Sequence, residues 1–266
     1  MINITILGAA GRMGNAIARG IAATSDLALV GAVERPGHPA LGHDIGTLSG
    51  IAAVGIPVTD DRAAAIKKAN VVIDFTFHTE APANIAEAVN AKAAYILGTT
   101  GLNDAEGAAI HAAAKEIPVV WAPNYSLGVT LLNDLVRRAA AILGTAYDAE
   151  IVEMHHRHKK DAPSGTALGL GLSLAAGRNV NLRDIAAYGR EGIAGERPEG
   201  QIAFHALRGG DVVGDHTVIF AADGERLELT HKASSRDCFV SGVLASARWL
   251  HDKAPGLYTM THVLGL

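Results

Sequence analysis

An apolar, β-rich segment at the start of the chain runs directly into a turn of evenly spaced glycines. Residues 2–7 are rich in isoleucine and leucine, and Gly8, Gly11 and Gly14 follow them. Beyond the turn, apolar residues recur at every fourth position from Met13, which is the spacing of a helix with one buried face. A strand, a tight turn and a helix in this order predict the first βα unit of a parallel α/β sheet.

The same alternation of strand and helix continues through the first half of the chain. Further apolar runs, each ending in a polar or glycine-containing loop, lie at Leu27–Val33, Val71–Ile73, Tyr95–Leu97 and Val119–Trp121. Helical segments between them begin with capping residues, such as Asn103 with Glu106 following in the same turn. We therefore predict a Rossmann-type doubly wound parallel sheet, in which ligands bind at the carboxyl ends of the strands.

The second half has a different pattern, with a helical segment from Leu127 and strand-like runs later. Those runs, between residues 201 and 233, are separated by Gly209-Gly210 and Asp223-Gly224, which are typical of hairpins. The segment Gly189–Gly200 has no clear period and predicts an exposed loop. We predict a second α+β domain on a mostly antiparallel sheet over residues 127–235, with 1–126 and 236–266 forming the dinucleotide-binding domain.

Composition narrows the class of protein. Hydrophobic residues make up 49% of the chain and charged residues 19%, which favours a packed globular fold over disorder. The formal net charge of −4 gives no overall attraction to nucleic acid or an anionic membrane. The single cysteine, Cys238, forms no internal disulfide, and the first residues lack the basic region of a signal peptide, so we expect a cytoplasmic protein.

The glycine turn is suited to hold the pyrophosphate of a dinucleotide. Glycines let the backbone approach the phosphates closely and direct the free N–H groups of a helix start at their charge. The predicted contacts are Gly8, Ala9, Ala10, Gly11, Arg12 and Met13. Glu34 ends the second strand, where an acidic side chain accepts hydrogen bonds from the adenosine ribose. Arg35 beside it suits a 2′-phosphate, so we expect use of both NADH and NADPH.

An alternative interpretation is that these glycines only form a turn and that Glu34 and Arg35 are a solvated pair. The spacing G-x-x-G-x-x-G departs from the usual G-x-G-x-x-G, and an isolated match would favour that alternative. The position in the first βα unit favours cofactor binding instead.

The segment His155–Thr166 carries an unusual density of positive charge. Six of its residues are cationic or become so on protonation, and Ser164, Gly165 and Thr166 follow at a predicted helix start. The neighbouring arginine and lysines would repel a divalent cation, so we predict no metal. Cationic side chains combined with hydroxyl and N–H donors favour a small dianion, and histidine and lysine are plausible general acids.

Three alternatives to this interpretation remain. In the simplest alternative, the segment His155–Thr166 is only a solvated basic loop. In the second, the chain is another two-domain dehydrogenase, acting on an amino acid or a sugar acid, although a single carboxylate would not require so many cations. The third is a cofactor-sensing protein without catalysis, because a fold alone does not establish chemistry.

Several stretches spread over the chain resemble the 4-hydroxy-tetrahydrodipicolinate reductases, formerly called dihydrodipicolinate reductases. They are Gly8–Gly14, Asp74–Thr76, Gly98–Gly101, Glu153–Ala167, Tyr188–Gly192, Arg208–Thr217 and His231–Arg236. The resemblance implies hydride transfer from NAD(P)H to a cyclic dicarboxylate with loss of water, on the route to diaminopimelate and lysine. It also implies a homotetramer built through the second domain, with residues 127–235 binding substrate.

The resemblance further implies roles for individual residues. By matching position, His155 and Lys159 would be the proton donors. The substrate would be held by His156, Ser164, Gly165 and Thr166, with Thr100 also near it. The nicotinamide end of the cofactor would be lined by Gly98, Thr99, Thr100, Ala122, Pro123, Asn124 and Tyr125.

Overall fold

The computed structural model describes Met1 to Leu266, which form two compact units. Unit 1 is Met1–Leu127 with Asp237–Leu266, and unit 2 is Gly128–Arg236. The strands are β1 (Ile2–Leu7), β2 (Leu27–Val33), β3 (Val58–Thr59), β4 (Val71–Asp74), β5 (Ala94–Leu97), β6 (Pro118–Trp121), β7 (Asp148–His155), β8 (Ala186–Tyr188), β9 (Ile202–Arg208), β10 (Gly214–Ala222), β11 (Glu225–Ala233) and β12 (Gly256–Tyr258). The helices are α1 (Arg12–Ala22), α2 (Ile45–Leu48), α3 (Arg62–Ile66), α4 (Ala81–Ala91), α5 (Asp104–Ala113), α6 (Leu127–Leu143), α7 (Gly165–Gly177), α8 (Leu182–Ile185), α9 (Asp237–Leu250) and α10 (Met260–Leu264).

Unit 1 is built on a seven-stranded sheet in the order β12-β6-β5-β4-β1-β2-β3. Every pair of neighbouring strands is parallel. The chain runs outward from β1 through β2 to β3 and then returns to the other side of β1 with β4. This reversal of strand order is where ligands bind in doubly wound folds. The predicted fold class is confirmed.

Apart from β1, which contains Asn3 and Thr5, the longer strands of unit 1 are almost entirely apolar because both faces of the sheet are covered. Successive side chains of a strand point to opposite faces. Ile73 and Ile96 accordingly belong to one buried cluster, which also contains residues of α1 and α9. Val72 and Tyr95 belong to another, which contains residues of α4 and α5. Two buried layers explain why these strands lack the apolar and polar alternation of a half-exposed sheet.

The sequence did not predict the two edge strands of unit 1. β3 and β12 contain only two and three residues, too few to show a period. β12 pairs in parallel with β6, so the end of the chain extends the sheet.

Unit 2 contains a five-stranded mixed sheet in the order β11-β10-β7-β9-β8. β10 is antiparallel to both β7 and β11, whereas β9 is parallel to β7 and β8. Alternate residues of β7, such as Ala149 and Ile151, pack in one buried cluster with residues of α6 and α7. The predicted α+β class is confirmed, but the sheet is mixed and not mostly antiparallel, because two of its four strand pairings are parallel.

The hairpin predicted at Gly209-Gly210 is wrong. β9 does not pair with β10, because β7 lies between them. The segment after β9 crosses the end of β7, where the Gly209 N–H donates to the His155 carbonyl at 3.0 Å and the His156 N–H donates to the Val212 carbonyl at 2.7 Å. The hairpin predicted at Asp223-Gly224 does join β10 to β11.

The segment Gly189–Gly200 has no helix or strand, as predicted, but two of its arginines are fixed to β7. Arg190 donates to both carboxylate oxygens of Glu150, at 3.0 and 2.8 Å. Arg197 donates to the same carboxylate at 2.9 Å, and His205 lies 2.6 Å from it. Burial raises the pKa of Glu150, but these hydrogen bonds outweigh it and lower the pKa to about 2. Glu150 therefore ties the loop to the sheet as a carboxylate.

No helix of the chain combines the length and the apolar character that crossing a bilayer requires.

Candidate active site

The glycine turn of unit 1 leaves the start of α1 without a side-chain cap. Gly11 is the residue before the helix, and it offers no side chain to the first N–H groups. Those groups lack partners within any helix, so they suit an anionic ligand. The positive end of the helix dipole favours the same charge.

Gly14 shows how closely the turn and the helix approach. A Cβ at this position would lie 2.3 Å from the carbonyl oxygen of Ala9 and 2.4 Å from that of Gly8. Both neighbours are backbone atoms and have little room to move. The sequence requires glycine here because of this contact.

The turn borders a cavity of about 490 Å³ at the carboxyl ends of β1, β2 and β4. Gly8, Gly11, Glu34 and Arg35 all line it. One oxygen of Glu34 accepts from the Ala10 N–H at 3.0 Å, and the other from the Arg35 N–H at 3.3 Å. The structure thus brings these four predicted contacts to one cavity, whereas the other predicted ones are not among its lining residues: Ala9, Ala10, Arg12 and Met13. Sequence reasoning did not select other lining residues, including Asp60, Arg62, Phe75, Phe77 and Thr79.

Asp74, at the end of β4, fixes the loop that borders this cavity. Its fully buried carboxylate accepts from the N–H and the hydroxyl of Thr76, both at 2.7 Å. Asn84 donates to it at 2.9 Å, and the Tyr95 hydroxyl also donates to it. Burial and the negative charge of Asp74 raise the pKa of Tyr95 well above its ordinary value, so the phenol remains a donor.

The loops after β5 and β6 lie at the same edge of the sheet. The Thr99 hydroxyl donates to the Thr76 carbonyl at 3.0 Å, which joins the Gly98–Thr100 loop to the loop after β4. Tyr125 is buried, and its hydroxyl donates to the carbonyls of Leu97 and Val120 at 2.9 and 3.1 Å. Burial raises the pKa of Tyr125 well above its ordinary value. The structure places the predicted nicotinamide residues on these two loops, which parallel strands bring together.

In unit 2, the predicted substrate residues lie between the end of β7 and the start of α7. β7 ends at His155, and Ser164 is the N-cap of α7, where its hydroxyl accepts from the Ala167 N–H at 3.1 Å. Gly165 and Thr166 form the first turn of that helix. The helix start predicted after Pro163 is confirmed.

A buried carboxylate joins the two ends of this loop. Glu153, 1% exposed, lies 2.6 Å from Nδ1 of His155 through one oxygen and accepts from the Ser164 N–H at 3.1 Å through the other. Arg208 donates to both oxygens, at 2.7 and 2.8 Å. Burial raises the pKa of Glu153, but the hydrogen bonds from Arg208 and His155 outweigh it and lower the pKa. Glu153 is therefore ionised near neutral pH.

His216 supports Ser164 from β10. Its Nε2 lies 2.9 Å from the Ser164 hydroxyl, and its ring packs edge-on against His155 with centroids 5.1 Å apart. Burial and the neighbouring His155 lower the pKa of His216 to about 4, so it is neutral near pH 7.

The remaining cations of the cluster differ in their surroundings. Lys159 donates to both oxygens of Asp161, at 2.9 and 2.8 Å. His156 has a buried Nδ1 without a hydrogen-bond partner, and burial and the adjacent His158 lower its pKa. The structure contains no group of three or more His, Cys, Asp or Glu side chains arranged to hold a metal.

Sequence reasoning selected neither Glu153, Arg208 nor His216 as a site residue. They lie on β7, β9 and β10, and Arg208 is the last residue of β9. Glu153 alternates along β7 with the buried Ala149 and Ile151, and a buried charge requires a partner, so this position was the available indication.

Comparison with known proteins identifies the family. The model described as dihydrodipicolinate reductase, N-terminus, matches residues 2–125, and that described as dihydrodipicolinate reductase, C-terminus, matches residues 128–264. The chain belongs to the dihydrodipicolinate reductase family. This family comprises the 4-hydroxy-tetrahydrodipicolinate reductases, NAD(P)H-dependent oxidoreductases of lysine and diaminopimelate biosynthesis.

Relatives in this family match over their whole length. The 4-hydroxy-tetrahydrodipicolinate reductase of Anaeromyxobacter dehalogenans is 50% identical, covering 100% of this chain and 98% of that protein. The enzyme of Thiobacillus denitrificans is also 50% identical, covering 100% and 99%. A solved dihydrodipicolinate reductase from Paenisporosarcina sp. TG-14, with dipicolinate bound, is 25% identical with a TM-score of 0.78, covering 97% of both chains.

Proposed function

We propose that this protein reduces 4-hydroxy-tetrahydrodipicolinate to tetrahydrodipicolinate, with loss of water, using NADH or NADPH. The observation that carries the proposal is the cationic segment His155–Thr166 at the N-terminus of α7. A ligand with two carboxylates requires positive charge and directed N–H donors together. The dipicolinate named for the solved relative is a cyclic dicarboxylate of the same kind.

The residues of unit 1 fit a nicotinamide cofactor. The uncapped start of α1 and the close packing of Gly14 leave backbone N–H groups for a diphosphate. Glu34 would accept from ribose hydroxyls, and Arg35 would pair with a 2′-phosphate, so both cofactor forms are accommodated. The loops Gly98–Thr100 and Ala122–Tyr125 would border the nicotinamide. When bound, this cofactor supplies the hydride for the reduction.

The residues of unit 2 would hold the substrate and supply a proton. Its carboxylates would be bound by His156, Ser164, Gly165 and Thr166. His155 and Lys159 would act as acids toward the position that becomes electron-rich on reduction. Asp161 accepts two hydrogen bonds from the Lys159 ammonium, which fixes its direction and leaves one of its N–H donors available.

Unit 2 is also proposed as the oligomerisation domain of a homotetramer. The face of its sheet opposite α6 and α7 includes the exposed side chain of Leu207 and the partly exposed side chains of Val152 and Ile219. An apolar sheet face on an otherwise polar surface is suited to self-association. The cytoplasmic location stays a prediction, based on the single cysteine.

The decisive experiment measures NADH and NADPH oxidation with substrate freshly formed from pyruvate and aspartate semialdehyde. We expect turnover with both cofactors, and inhibition by dipicolinate. Oxidation that does not depend on the condensed substrate, or that occurs equally with an amino acid or sugar acid precursor, would refute the proposal.

A further inference from the structure

The two ring nitrogens of His155 have different surroundings. Nδ1 lies 2.6 Å from a carboxylate oxygen of Glu153, whose side chain is 1% exposed. A carboxylate with a lowered pKa is ionised near neutrality and only accepts hydrogen bonds. Nδ1 therefore carries a proton in both the neutral and the charged ring. Nε2 is the nitrogen at which His155 gains or loses its exchangeable proton.

Glu153 is itself held by donors on three sides. Arg208 forms a two-pronged pair with it at 2.7 and 2.8 Å, and the Ser164 N–H donates at 3.1 Å. Arg208 also donates to the Asp161 carbonyl at 2.7 Å, within the loop between His155 and Ser164. Because the guanidinium compensates its charge, the carboxylate remains buried without becoming protonated.

Gly214, at the start of β10, lies beside the other side of the His155 ring. A Cβ on this residue would lie 2.9 Å from Nε2 of His155 and 3.4 Å from its Cδ2. Gly214 does not adopt a positive φ, so its backbone conformation does not require glycine. The requirement is steric, because any side chain here would press on the nitrogen that exchanges the proton.

We propose that Glu153 is a positioning residue that fixes His155 as the Nδ1–H tautomer, and that Gly214 keeps Nε2 of His155 open to the substrate. This inference rests on the proposed function for the role of His155 as a proton donor. In the transfer, the Nε2–H bond breaks and its proton forms a bond to the electron-rich atom of the substrate. The electron pair stays on Nε2, and Glu153 remains ionised throughout.

The first test is the tautomer of His155 in the substrate-free protein, measured by ¹⁵N NMR of the histidine side chains. We expect the neutral ring of the wild-type protein to carry its proton on Nδ1. In Glu153→Gln, the neutral ring should populate the Nε2–H tautomer as well, because the amide also offers a donor to Nδ1. A neutral wild-type ring that carries its proton on Nε2 instead of Nδ1 would overturn the inference. This measurement needs no turnover, so its outcome is independent of the proposed reaction.

The second test separates kcat from KM. Glu153→Gln should lower kcat by about 10- to 100-fold, while the KM for NADH stays within about twofold. Glu87→Gln, at a partly exposed glutamate on α4 in unit 1, is the matched control and should behave as wild type. An unchanged kcat in a folded Glu153→Gln protein would show that Glu153 does not position His155 for catalysis.

Gly214→Ala tests the open side of the ring without removing a charge. We expect kcat to fall by about tenfold or more, with the unfolding temperature changed by no more than about 5 °C. Gly169→Ala is the control, since a Cβ there meets its nearest atom at 3.9 Å. A normal kcat in Gly214→Ala would overturn the inference that Gly214 keeps Nε2 of His155 open. This variant tests that role of Gly214 even if Glu153→Gln does not fold.

Discussion

The two candidate sites offer hydrogen-bond donors to an anion by different means. In unit 1 the donors are backbone N–H groups at an uncapped helix start, and the sequence supplies mainly the absence of side chains, as at Gly14. In unit 2 the donors are side chains, and a buried carboxylate, Glu153, holds several of them in place. A backbone site recognises a group shared by many ligands, whereas a side-chain site is specific to one. Under the proposed function, unit 2 would therefore determine which substrate is bound.

The largest effect that separates the two sites is expected from Lys159→Ala. Loss of the ammonium should reduce kcat by about 100-fold or more, because a general acid or a charge facing the substrate is removed. The dissociation constant for NADH, measured by fluorescence titration, should stay within about twofold. Lys160→Ala is the matched control, since Lys160 is an exposed lysine next in sequence.

A loss of NADH affinity in Lys159→Ala as large as its loss of kcat would contradict the assignment of cofactor binding to unit 1 and substrate chemistry to unit 2. A kcat loss in Lys160→Ala as large as that in Lys159→Ala would instead show that only the total charge of the loop matters.

The local pattern of the sequence was enough to select the turn and Glu34 in unit 1, although not the other residues that line the cavity. Glycines between the first strand and the first helix favour a cofactor turn, so Gly8–Gly14 was selected without knowledge of distant contacts. The loop His155–Ser164 was found by its charge density. Its organising residue, Glu153, was not, because the pairing with Arg208 joins residues of β7 and β9 that are far apart in sequence.

The wrong hairpin at Gly209-Gly210 has the same cause. A glycine pair between two strand-like runs is typical of a hairpin, and nothing local indicates that β7 is inserted between them. Strand order depends on pairing between distant segments, which a short sequence window does not contain.

The second prediction addresses the backbone site. Gly14→Ala should reduce NADH affinity by about tenfold and lower the free energy of unfolding by about 1–3 kcal/mol, because its Cβ would lie 2.3 Å from the Ala9 carbonyl oxygen. Calorimetric titration and urea unfolding measure the two effects. Gly169→Ala, inside α7, provides the contrast, since it should be neutral or slightly stabilising. Normal cofactor affinity in Gly14→Ala would show that the turn tolerates a side chain.

The third prediction concerns charge within unit 2. The pKa of Glu150 is about 2 in the folded protein and 4.5 ordinarily, so its contribution to stability is complete above about pH 4.5 and is lost as the pH falls toward 2. With allowance for partial exposure, Glu150→Gln should lower the free energy of unfolding by on the order of 2 kcal/mol at pH 7. Urea unfolding at a series of pH values should show the difference from wild type shrinking below pH 4.5. A difference that is constant with pH would mean that the ionised form is not what stabilises the loop.

The smallest effect, and the one that tests the side chain within the backbone site, is expected from Glu34→Ala. Glu34 borders the cavity of unit 1 and accepts from the Ala10 N–H at 3.0 Å. Removing it should weaken NADH binding by about tenfold, because ribose hydroxyls lose a charged acceptor. NADPH binding should change by no more than about twofold, since the carboxylate also repels a 2′-phosphate and Arg35 remains. Glu80→Ala, on the same cavity, is the control. If Glu34→Ala leaves the ratio of NADH to NADPH affinity unchanged, Glu34 only stabilises the glycine turn. Unit 1 would then recognise its ligand through backbone groups without a contribution from this side chain.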